Sequence, residues 1–496
     1  MERIGHWIGG KLVLGESGRK GPVFNPATGE QTHEVDFASV EEVDLAIEAA
    51  AEAFTGWRAT SLSKRADIFF RIRELVDGHR REIGKVITEQ HGKVLSDAMG
   101  EVARGLENIE FATGIPHLLK GGYTEQASTG VDVYSIRQPL GVVAGITPFN
   151  FPAMVPMWMF ANAIACGNAF ILKPSEKDPG ASMYVAELLK EAGLPDGVFN
   201  IVQGDKVVVD RLLEHPGIKA ISFVGSTPIA KYIYSRGAAN GKRVQALGGA
   251  KNHMVVLPDA DIDMAADAAV SAAYGSAGER CMAISVVVAV GAVADPLVHA
   301  IQERLPLVKI GDGLEAGSEM GPLVTREHRD RVAGYLTSAA EQGATVVEDG
   351  REHHLFGAEG FFLGVSLIDH VTPDMDCYRD EIFGPVLVVV RAESLESAIA
   401  LVNSNPYGNG TAIFTRDGGA MRQFQFEVSA GMVGVNVPIP VPVGYYSFGG
   451  WKDSLFGDTH MYGPDGIGFY TRQKVVTSRW PDPGTSKLDL GFPRTR

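Results

Sequence analysis

Apolar residues recur along the chain with two different spacings. Over roughly the first 120 residues they follow the helical period and leave charged side chains on the outer face. This pattern predicts helices at 41–54, 64–91 and 95–111. The segment 131–137 instead alternates apolar and polar side chains, which is typical of an exposed or edge strand.

From Gly141 the pattern changes to short apolar runs that alternate with helical segments. Strands are predicted at 142–146, 169–172, 198–202, 220–224 and 244–247, and helices at 156–166, 180–192, 206–213 and 228–236. Continuous apolar strands that alternate with helices are typical of a parallel sheet covered on both faces. Such sheets bind their ligands at the carboxyl ends of the strands.

A second alternating block occupies the rest of the chain. It predicts strands at 284–293, 361–368, 386–390, 411–414 and 431–435, with helices at 294–305 and 395–403 between them. Strand-like alternation returns at 470–479, and the tail after Trp480, which contains proline and glycine, is predicted to be an arm or a loose end. Two alternating blocks indicate an α/β protein with two large units.

Length and composition limit the class of protein. A chain of 496 residues exceeds the roughly 250–300 residues at which a single core stops growing, so two large lobes are expected. The 59 glycines exceed the usual share and show no collagen period, which implies many tight turns or sites where a ligand meets the backbone. The net charge of −15 argues against nucleic-acid binding, because phosphate neutralisation needs a basic face.

The sequence predicts neither targeting nor membrane insertion. The amino-terminal residues have neither the apolar core of a signal peptide nor an arginine-rich transit segment, so a reducing, cytoplasmic setting is expected. The segment 138–172 carries no formal charge and is long enough to span a bilayer, but four prolines divide it. Its helical remainder, 156–167, is too short to cross a membrane.

The cysteines provide one candidate nucleophile. They number three and form no C-x-x-C pair, so neither a disulfide framework nor a metal site is expected. Cys166 ends an apolar helix and is interpreted as a core residue. Cys377 has carboxylates nearby that would keep its thiol protonated. Cys281 follows the small-residue loop 275–278, and Arg280 beside it would favour the reactive thiolate.

Candidate phosphate-binding segments are weaker signals. The segment 237–242 resembles a P-loop but is one residue short and is followed by Arg243 where Ser or Thr is required, so it is rejected. No G-x-G-x-x-G follows a predicted strand. Gly225, Ser226 and Pro228 open a helix directly after the strand at 220–224, which is typical of an anion-binding helix N-terminus and equally of an ordinary capped helix.

Five motifs in one order carry a family resemblance. They are Thr147-Pro148-Phe149-Asn150-Phe151-Pro152, Lys173-Pro174-Ser175-Glu176, Phe223-Val224-Gly225-Ser226-Thr227, Gly278-Glu279-Arg280-Cys281 and Glu381-Ile382-Phe383-Gly384-Pro385. In this order and at these intervals the chain resembles the aldehyde dehydrogenase superfamily as far as the region of Trp480.

The resemblance implies an α/β aldehyde dehydrogenase fold with three parts. A Rossmann-like NAD-binding domain would occupy 1–122 and 142–247, and an α/β catalytic domain would occupy 248–450. A small bridging or oligomerisation sheet, with the tail, would occupy 123–141 and 465–496.

The resemblance also implies roles for named residues. Cys281 would attack an aldehyde carbon, and Asn150 with the backbone N–H of Cys281 would form the oxyanion hole. Lys173 and Glu176 would hold the adenosine ribose, where a carboxylate favours NAD over NADP. Ser226 would contact the pyrophosphate and Glu381 the other ribose. The implied cofactor-binding residues are Thr147, Phe149, Lys173, Glu176, Lys177, Gly225, Ser226, Gly248 and Glu381.

One position departs from the hydrolytic members of the superfamily. Those members carry a glutamate in a Glu-Leu-Gly-Gly-Lys stretch as the base that activates water. Here the stretch is 245–253, and alignment on Lys251 places Leu247 at the glutamate position, with no acidic residue nearby in the sequence. Hydrolysis of a thioester is therefore expected to be slow, so a thiol, coenzyme A, would take the acyl group as co-substrate.

Three further segments, 250–253, 278–282 and 456–459, resemble the CoA-acylating methylmalonate-semialdehyde dehydrogenase branch, whose members also take malonate semialdehyde. Its substrates carry a carboxylate β to the aldehyde, and the branch's carboxylate-binding arginines map onto Arg104 and Arg280. By itself, Arg104 would be interpreted as a solvated helix charge. The resemblance implies oxidation at Cys281, loss of CO₂, and transfer of a propionyl or acetyl group to CoA.

An isolated edge strand at 131–137 would recruit a partner chain, so a homodimer or homotetramer is expected, as the resemblance also implies. Three alternatives stay open: a hydrolytic aldehyde dehydrogenase that acts on another carboxylated aldehyde with another base, a CoA-acylating enzyme for a different acid semialdehyde, and an inactive binding protein of the same fold. The intact Cys281, Asn150 and Glu381 argue against the last of these.

Overall fold

The computed structural model describes residues 2–480 and residue 484. Its strands in chain order are β1 (Glu2–Ile4), β2 (His6–Ile8), β3 (Lys11–Val13), β4 (Lys20–Asn25), β5 (Glu30–Asp36), β6 (Tyr123–Ser128), β7 (Val131–Pro139), β8 (Val142–Ile146), β9 (Ala169–Lys173), β10 (Phe199–Ile201), β11 (Ile218–Val224), β12 (Arg243–Leu247), β13 (Asn252–Val256), β14 (Ile284–Val290), β15 (Thr345–Glu348), β16 (Ser366–Asp369), β17 (Val386–Ala392), β18 (Tyr407–Gly408), β19 (Gly410–Phe414), β20 (Met432–Val435), β21 (Trp451–Lys452), β22 (Leu455–Phe456) and β23 (Thr471–Arg479).

The helices in chain order are α1 (Val40–Ala59), α2 (Leu62–Gly78), α3 (Arg80–His91), α4 (Leu95–Thr113), α5 (Ile115–Leu118), α6 (Met154–Ala165), α7 (Gly180–Glu191), α8 (Lys206–Glu214), α9 (Thr227–Ala239), α10 (Ile262–Tyr274), α11 (Ala294–Arg304), α12 (Arg326–Glu341), α13 (Asp376–Arg379), α14 (Leu395–Ser404), α15 (Gly418–Glu427) and α16 (Gly463–Phe469).

Local sequence explains where several helices begin and end. Helix α1 opens with a capping box, in which the Ser39 hydroxyl accepts from the Glu42 N–H and the Glu42 carboxylate accepts from the Ser39 N–H. Helix α9 follows Ser226 and has a proline in its first turn. Helix α3 ends at Gly92, whose φ of 96° suits a residue without a Cβ.

The first large sheet has eight strands in the order β22-β12-β11-β8-β9-β10-β2-β3. Its five middle strands, β12 to β10, are parallel, and antiparallel neighbours flank them. The chain moves outward from β8 through β9 and β10, then crosses to the other side of β8 for β11 and β12. The switch point therefore lies between β8 and β11, where open α/β sheets bind their ligands.

Helices cover both faces of this sheet, as the continuous apolar runs predict. Strands β8 and β9 are buried along their whole length. Val142 and Ala144 pack into one core with α1, α8 and α9, whereas Val143 points into a second core with α2, α4, α6 and α7. The prediction of a parallel sheet covered on two sides is confirmed.

The second large sheet has seven strands in the order β15-β16-β17-β14-β13-β19-β20. All neighbouring pairs are parallel except β15 with β16. Helices α10, α11, α12, α14 and α15 contribute to its core. The second alternating block is thus confirmed, and it contains one central strand, β13, that the hydrophobic pattern did not single out.

The two sheets meet end to end, with carboxyl ends of the first facing amino ends of the second. Asn150, after β8, donates to the backbone carbonyl of Glu279, which precedes β14. A Cβ built on Gly249, after β12, would lie 2.4 Å from Oε2 of Glu381, which precedes β17. The loops at this junction are those that carry the sequence motifs.

The helical assignment of the amino-terminal region is wrong for residues 2–36. This segment forms β1 to β5, and β2 and β3 extend the eight-stranded sheet. Strands of three to seven residues are too short for their period to stand out. The predicted helix at 64–91 is two helices, because His79 leaves helical geometry at φ −103° and ψ 17°.

Strand β7 is the central strand of a three-stranded antiparallel sheet, not an edge strand as predicted. It pairs along its whole length with β23 and on its other side with β6. Alternation reports that one face of a strand is solvated and says nothing about neighbours in the sheet plane. The open edges are β6 and β23, and both are largely exposed. The predicted tail beyond Trp480 lies outside the described residues, apart from residue 484.

Within residues 2–480, no helix combines the length and apolar character needed to cross a membrane. The helical part of the uncharged segment is α6, which has 12 residues, all of them buried. It is a core helix, as predicted.

Candidate active site

The loop before Cys281 adopts an unusual backbone. Ser276 and Ala277 have φ values of 54° and 51°, and Gly278 follows at 72°. Left-handed conformations cost free energy for residues with a Cβ and concentrate at functional sites. A Cβ on Gly278 would lie 2.2 Å from the carbonyl oxygen of Gly384, so glycine lets this loop pack against the loop after Glu381.

Two asparagines fix the main chain at Cys281. Nδ2 of Asn252 and Nδ2 of Asn409 donate to the carbonyl oxygen of Cys281 at 2.9 and 3.0 Å. Asn252 starts β13, the neighbour of β14, and Asn409 precedes β19, the next strand beyond β13, so two successive strands hold the main chain of Cys281. Neither asparagine was predicted to be a site residue, although Asn252 lies in the segment 250–253 that carries the family resemblance. Asn409 offered no signal beyond a turn-rich segment.

The predicted oxyanion donor lies beside the nucleophile loop. Asn150 is 4% exposed, and its Nδ2 donates to the carbonyl oxygen of Glu279 at 3.0 Å. A side-chain amide has two hydrogens, so one remains available for a ligand. Asn150 and Cys281 come from different sheets and meet here.

Burial dominates the acidity of the Cys281 thiol. Loss of solvent and the nearby Glu381 carboxyl raise its pKa to about 12, and Arg280 lowers it only slightly. The prediction that Arg280 favours the thiolate is right in direction but wrong in outcome. Desolvation of a thiolate outweighs one arginine that is already paired with a carboxylate.

Glu381 is held against the loop after β12. Its Oε1 accepts from the Ala250 N–H at 2.9 Å, and burial raises the pKa of its carboxyl to about 7. Lys251 anchors the same loop by donating to the carbonyls of Cys377 and Asp380, both at 2.7 Å. Burial lowers the pKa of Lys251 to about 8.

The residues predicted to bind the adenosine half of a dinucleotide lie at the carboxyl ends of β9, β11 and β12. Lys173 Nζ and Glu176 Oε2 form an ion pair at 3.0 Å. Ser226 is exposed at the N-terminus of α9 and does not cap the helix with its own side chain. A Cβ on Gly248 would lie 2.6 Å from the Asp453 carbonyl, so this position has no room for a side chain.

Aromatic and basic side chains line the other end of this cleft. The Phe149 ring lies 4.6 Å from Nζ of Lys177 and 5.9 Å from the rings of both His91 and Phe383. The buried hydroxyl of Thr147 has no hydrogen-bond partner among the described residues. An orphaned hydroxyl, an ion pair and a free helix N-terminus are groups that suit a dinucleotide with ribose hydroxyls and a pyrophosphate.

Glu279 was not predicted as a site residue, yet it is fully buried two positions before Cys281. Its Oε1 lies 3.4 Å from Nε2 of His328 and its Oε2 lies 3.8 Å from Nε2 of His91. Burial raises the pKa of Glu279 to about 8. Its carboxylate faces His91 and His328, whose rings both pack against Phe149. Nothing in the sequence around a single glutamate indicates that its side chain is buried.

The two predicted carboxylate-binding arginines have different surroundings. Arg280 Nη2 donates to Asp97 at 2.6 Å, and its other donors have no partner among the described residues. Arg280 and Asp97 line a cavity of 550 Å³ beside the nucleophile loop. Arg104 donates to Glu107 and to the carbonyls of Val441 and Pro442, so it also anchors an irregular loop.

Leu247, at the position of the hydrolytic base, is an apolar core residue. It ends β12, is 3% exposed, and belongs to the cluster against which Cys281 packs. The side chain supplies no proton acceptor. Glu381 is the carboxyl group that raises the pKa of the Cys281 thiol.

Comparisons with known proteins point to one family. The aldehyde dehydrogenase family model matches residues 13–476. A malonate-semialdehyde dehydrogenase from Pseudomonas aeruginosa is 57% identical, over 99% of this chain and 100% of that protein. Malonate-semialdehyde dehydrogenase 2 from Geobacillus kaustophilus is 50% identical, over 97% of this chain and 99% of its own length.

Solved structures give the same result. A methylmalonate-semialdehyde dehydrogenase from Oceanimonas doudoroffii superimposes with a TM-score of 0.96 at 56% identity, covering 98% of this chain and 99% of that one. A candidate methylmalonate-semialdehyde dehydrogenase from Sinorhizobium meliloti, complexed with NAD, gives 0.97 at 53% identity with the same coverage. The α/β fold, the site loops and the full-length match lead to one conclusion: this chain belongs to the aldehyde dehydrogenase family.

Proposed function

We propose that this enzyme oxidises malonate semialdehyde and methylmalonate semialdehyde with NAD, releases CO₂, and transfers the remaining acyl group to coenzyme A. One observation supports the proposal above all. The candidate nucleophile Cys281 is accompanied by an apolar residue, Leu247, at the position where hydrolytic members carry their base. The contact of Asn150 with the loop before Cys281 supports the nucleophile site, and Leu247 aligns with the water-activating base of hydrolytic members. Relatives at 50–57% identity are malonate-semialdehyde dehydrogenases.

NAD would lie across the carboxyl ends of the eight-stranded sheet. Lys173 and Glu176 would hold the adenosine ribose, Ser226 the pyrophosphate and Glu381 the second ribose, with Gly225 and Gly248 leaving room for the backbone approach. A carboxylate at the adenosine ribose disfavours a 2′-phosphate, which supports NAD over NADP. Phe149, Lys177 and Thr147 would line the nicotinamide end.

We also propose that the chain is organised into three parts with different functions. Residues 1–122 and 142–247 would form the cofactor-binding domain, 248–450 the catalytic domain, and 123–141 with 465–496 the oligomerisation arm. The open edges of β6 and β23 favour assembly into a homodimer or homotetramer. Three free cysteines are compatible with a reducing setting such as the cytoplasm.

The first chemical step forms a bond between sulfur and carbon. The Cys281 thiol releases its proton to solvent and its sulfur attacks the aldehyde carbon, while the carbonyl π electrons move to oxygen and give a thiohemiacetal oxyanion. The free hydrogen of the Asn150 amide and the N–H of Cys281 would donate to that oxygen, where negative charge develops. When bound, NAD supplies the acceptor for the hydride that leaves this carbon, and a thioester on Cys281 remains.

The carboxylate of the substrate explains the loss of CO₂. The carbon–carbon bond to the carboxylate breaks, and its electron pair passes to the thioester carbonyl as an enolate. Asn150 and the Cys281 N–H can stabilise this second oxyanion as they do the first. Protonation of the enolate carbon gives an acetyl or propionyl thioester on Cys281.

Deacylation requires a nucleophile better than unassisted water. Leu247, at the aligned position of the hydrolytic base, has an apolar side chain that cannot activate water. The thiolate of CoA attacks the acyl carbon, the carbon–sulfur bond to Cys281 breaks, and the cysteine is regenerated. The products are acetyl-CoA or propionyl-CoA.

A hydrolytic reaction is the second candidate, and one observation favours it. Burial raises the pKa of the Glu381 carboxyl to about 7, which is suited to a general base, and this group acts electrostatically on Cys281. It is, however, bound to the Ala250 N–H and assigned to the ribose. CoA transfer to other acid semialdehydes and a non-catalytic binding role are the remaining alternatives.

Steady-state assays test the proposed reaction. NADH formation from malonate semialdehyde and from methylmalonate semialdehyde is expected to be at least about tenfold faster with CoA than without it, since the thioester lacks a hydrolytic base. Chromatography should then identify acetyl-CoA and propionyl-CoA. Equal rates without CoA, with free acid as product, would support the Glu381 hydrolytic alternative instead.

Substitution of the two arginines tests how the carboxylate is recognised. Arg280→Gln is expected to raise the KM for malonate semialdehyde by about tenfold or more, because a charge-assisted hydrogen bond contributes roughly 1.5–3 kcal/mol. The KM for propanal, which has no carboxylate, is the matched control and should change little. Arg104→Gln measured in the same way shows whether Arg104 shares this role. The same KM change for propanal and malonate semialdehyde in both variants would contradict the assignment.

Alkylation of the thiol tests the electrostatic account of Cys281. At pH 9 the Glu381 carboxyl is ionised, and Glu381→Gln removes the negative charge that raises the pKa of the thiol. More thiolate is then present, so iodoacetamide should modify Cys281 severalfold faster in this variant. Arg280→Gln should have the opposite effect, and Cys281→Ser supplies the background. An unchanged or slower rate in Glu381→Gln would contradict the electrostatic effect of Glu381 on the thiol.

A further inference from the structure

A buried ion pair lies outside the groups that touch substrate or cofactor. Nζ of Lys93 is 2.8 Å from Oε2 of Glu101, and the two residues are 1% and 3% exposed. Lys93 follows the end of α3, and Glu101 is in the second turn of α4. Burial of two charges costs free energy unless further hydrogen bonds compensate. The groups that compensate show what the pair does.

The lysine binds the backbone of the oxyanion donor. Nζ of Lys93 donates to the carbonyl oxygen of Asn150 at 2.6 Å. The same ammonium lies 4.3 Å from the centre of the Phe151 ring, the next side chain along. Two contacts with consecutive residues fix both the position and the direction of the chain at Asn150.

The glutamate binds the backbone on the other side of this segment. Its Oε1 accepts from the N–H groups of Ala153 and Met154 at 2.8 and 3.1 Å. These are among the unpaired N–H groups at the start of α6, whose own N-cap residue, Ala153, offers no side-chain acceptor. Glu101 thus caps α6 from a different helix.

These anchors hold an irregular segment, because residues 147–153 have no regular secondary structure. Asn150 is in the middle of this stretch, and its own amide reaches across to the carbonyl oxygen of Glu279 at 3.0 Å. Its direction is therefore set at the backbone by Lys93 and at the side chain by the nucleophile loop. An irregular loop without such anchors would leave the amide free to rotate.

We propose that Lys93 and Glu101 are positioning residues that aim the Asn150 amide at the substrate oxygen. This inference rests on the proposed function, in which Asn150 donates to the oxyanion. Neither residue touches the reacting atoms. Their effect passes through the main chain of 150–154.

A double-mutant cycle tests this proposal. Lys93→Met removes the donor but keeps the length of the side chain, and Glu101→Gln keeps its shape. Each is made in the wild-type and the Asn150→Ala backgrounds, and kcat and KM are measured with malonate semialdehyde. In the wild type each variant is expected to lower kcat by about 10-fold to 100-fold, the range that a misplaced group produces, with little change in KM.

In the Asn150→Ala background the same substitutions should lower kcat further by less than about threefold, because the group they position is gone. Lys93→Arg, which retains a donor, should recover part of the wild-type kcat. Should Lys93→Met fail to fold, the isosteric Glu101→Gln carries the test, with folding of each variant checked by thermal melting.

Arg65→Met is the matched control. Arg65 is a buried cation that donates to main-chain carbonyls, including that of Ala165 at the far end of α6. Its removal should lower the melting temperature and have the same effect on kcat in both backgrounds.

Three negative outcomes are distinguishable. If Lys93→Met and Glu101→Gln lower kcat by the same factor with and without the Asn150 side chain, the pair only supports the fold and the proposal is overturned. If Asn150→Ala itself leaves kcat unchanged, the oxyanion role fails and the proposal fails with it. Absence of turnover with malonate semialdehyde would contradict the proposed substrate alone, and the cycle would then be measured with propanal.

Discussion

The site depends on one contact between the two large sheets, the hydrogen bond from the Asn150 amide to the Glu279 carbonyl. One sheet carries the proposed oxyanion donor, Asn150, after β8, and the other carries the proposed nucleophile, Cys281, before β14. Each partner is held from behind: Lys93 binds the backbone of Asn150, while Asn252 and Asn409 bind that of Cys281. Catalytic geometry must hold within fractions of an ångström, which polar anchors to the main chain can provide.

Burial at this junction shifts the pKa values of four ionisable groups. The pKa of the Cys281 thiol rises to about 12, that of Glu279 to about 8, and that of Glu381 to about 7, whereas Lys251 falls to about 8. The net charge of −15 means that anionic substrates must be attracted locally, by Arg280 and by helix N-termini, against the sign of the whole protein.

Much of this could be predicted from the sequence, because strong patterns have few structural solutions. The continuous apolar runs at 142–146 and 169–172 predicted a parallel sheet covered on both faces, and the motif order predicted which loops meet. The alternation of apolar and polar residues depends on the two faces of a strand and not on its neighbours in the sheet. The prediction of β7 as an edge strand was therefore wrong. The partners of buried charges, such as Asp97 for Arg280, depend on tertiary contacts that one sequence does not encode locally. For this reason the sequence predicted Arg280 to be an unpaired cation that favours the thiolate of Cys281.

Intact-protein mass spectrometry tests the central claim, that Cys281 holds a thioester that water does not remove. The enzyme is mixed with malonate semialdehyde and NAD in the absence of CoA, and the mass of the protein is followed over time. The account predicts an acetyl group that persists on Cys281 in the wild type, disappears on addition of CoA, and is lost to water in Leu247→Glu. A wild-type enzyme that shows no adduct while it releases free acid over many turnovers would contradict it.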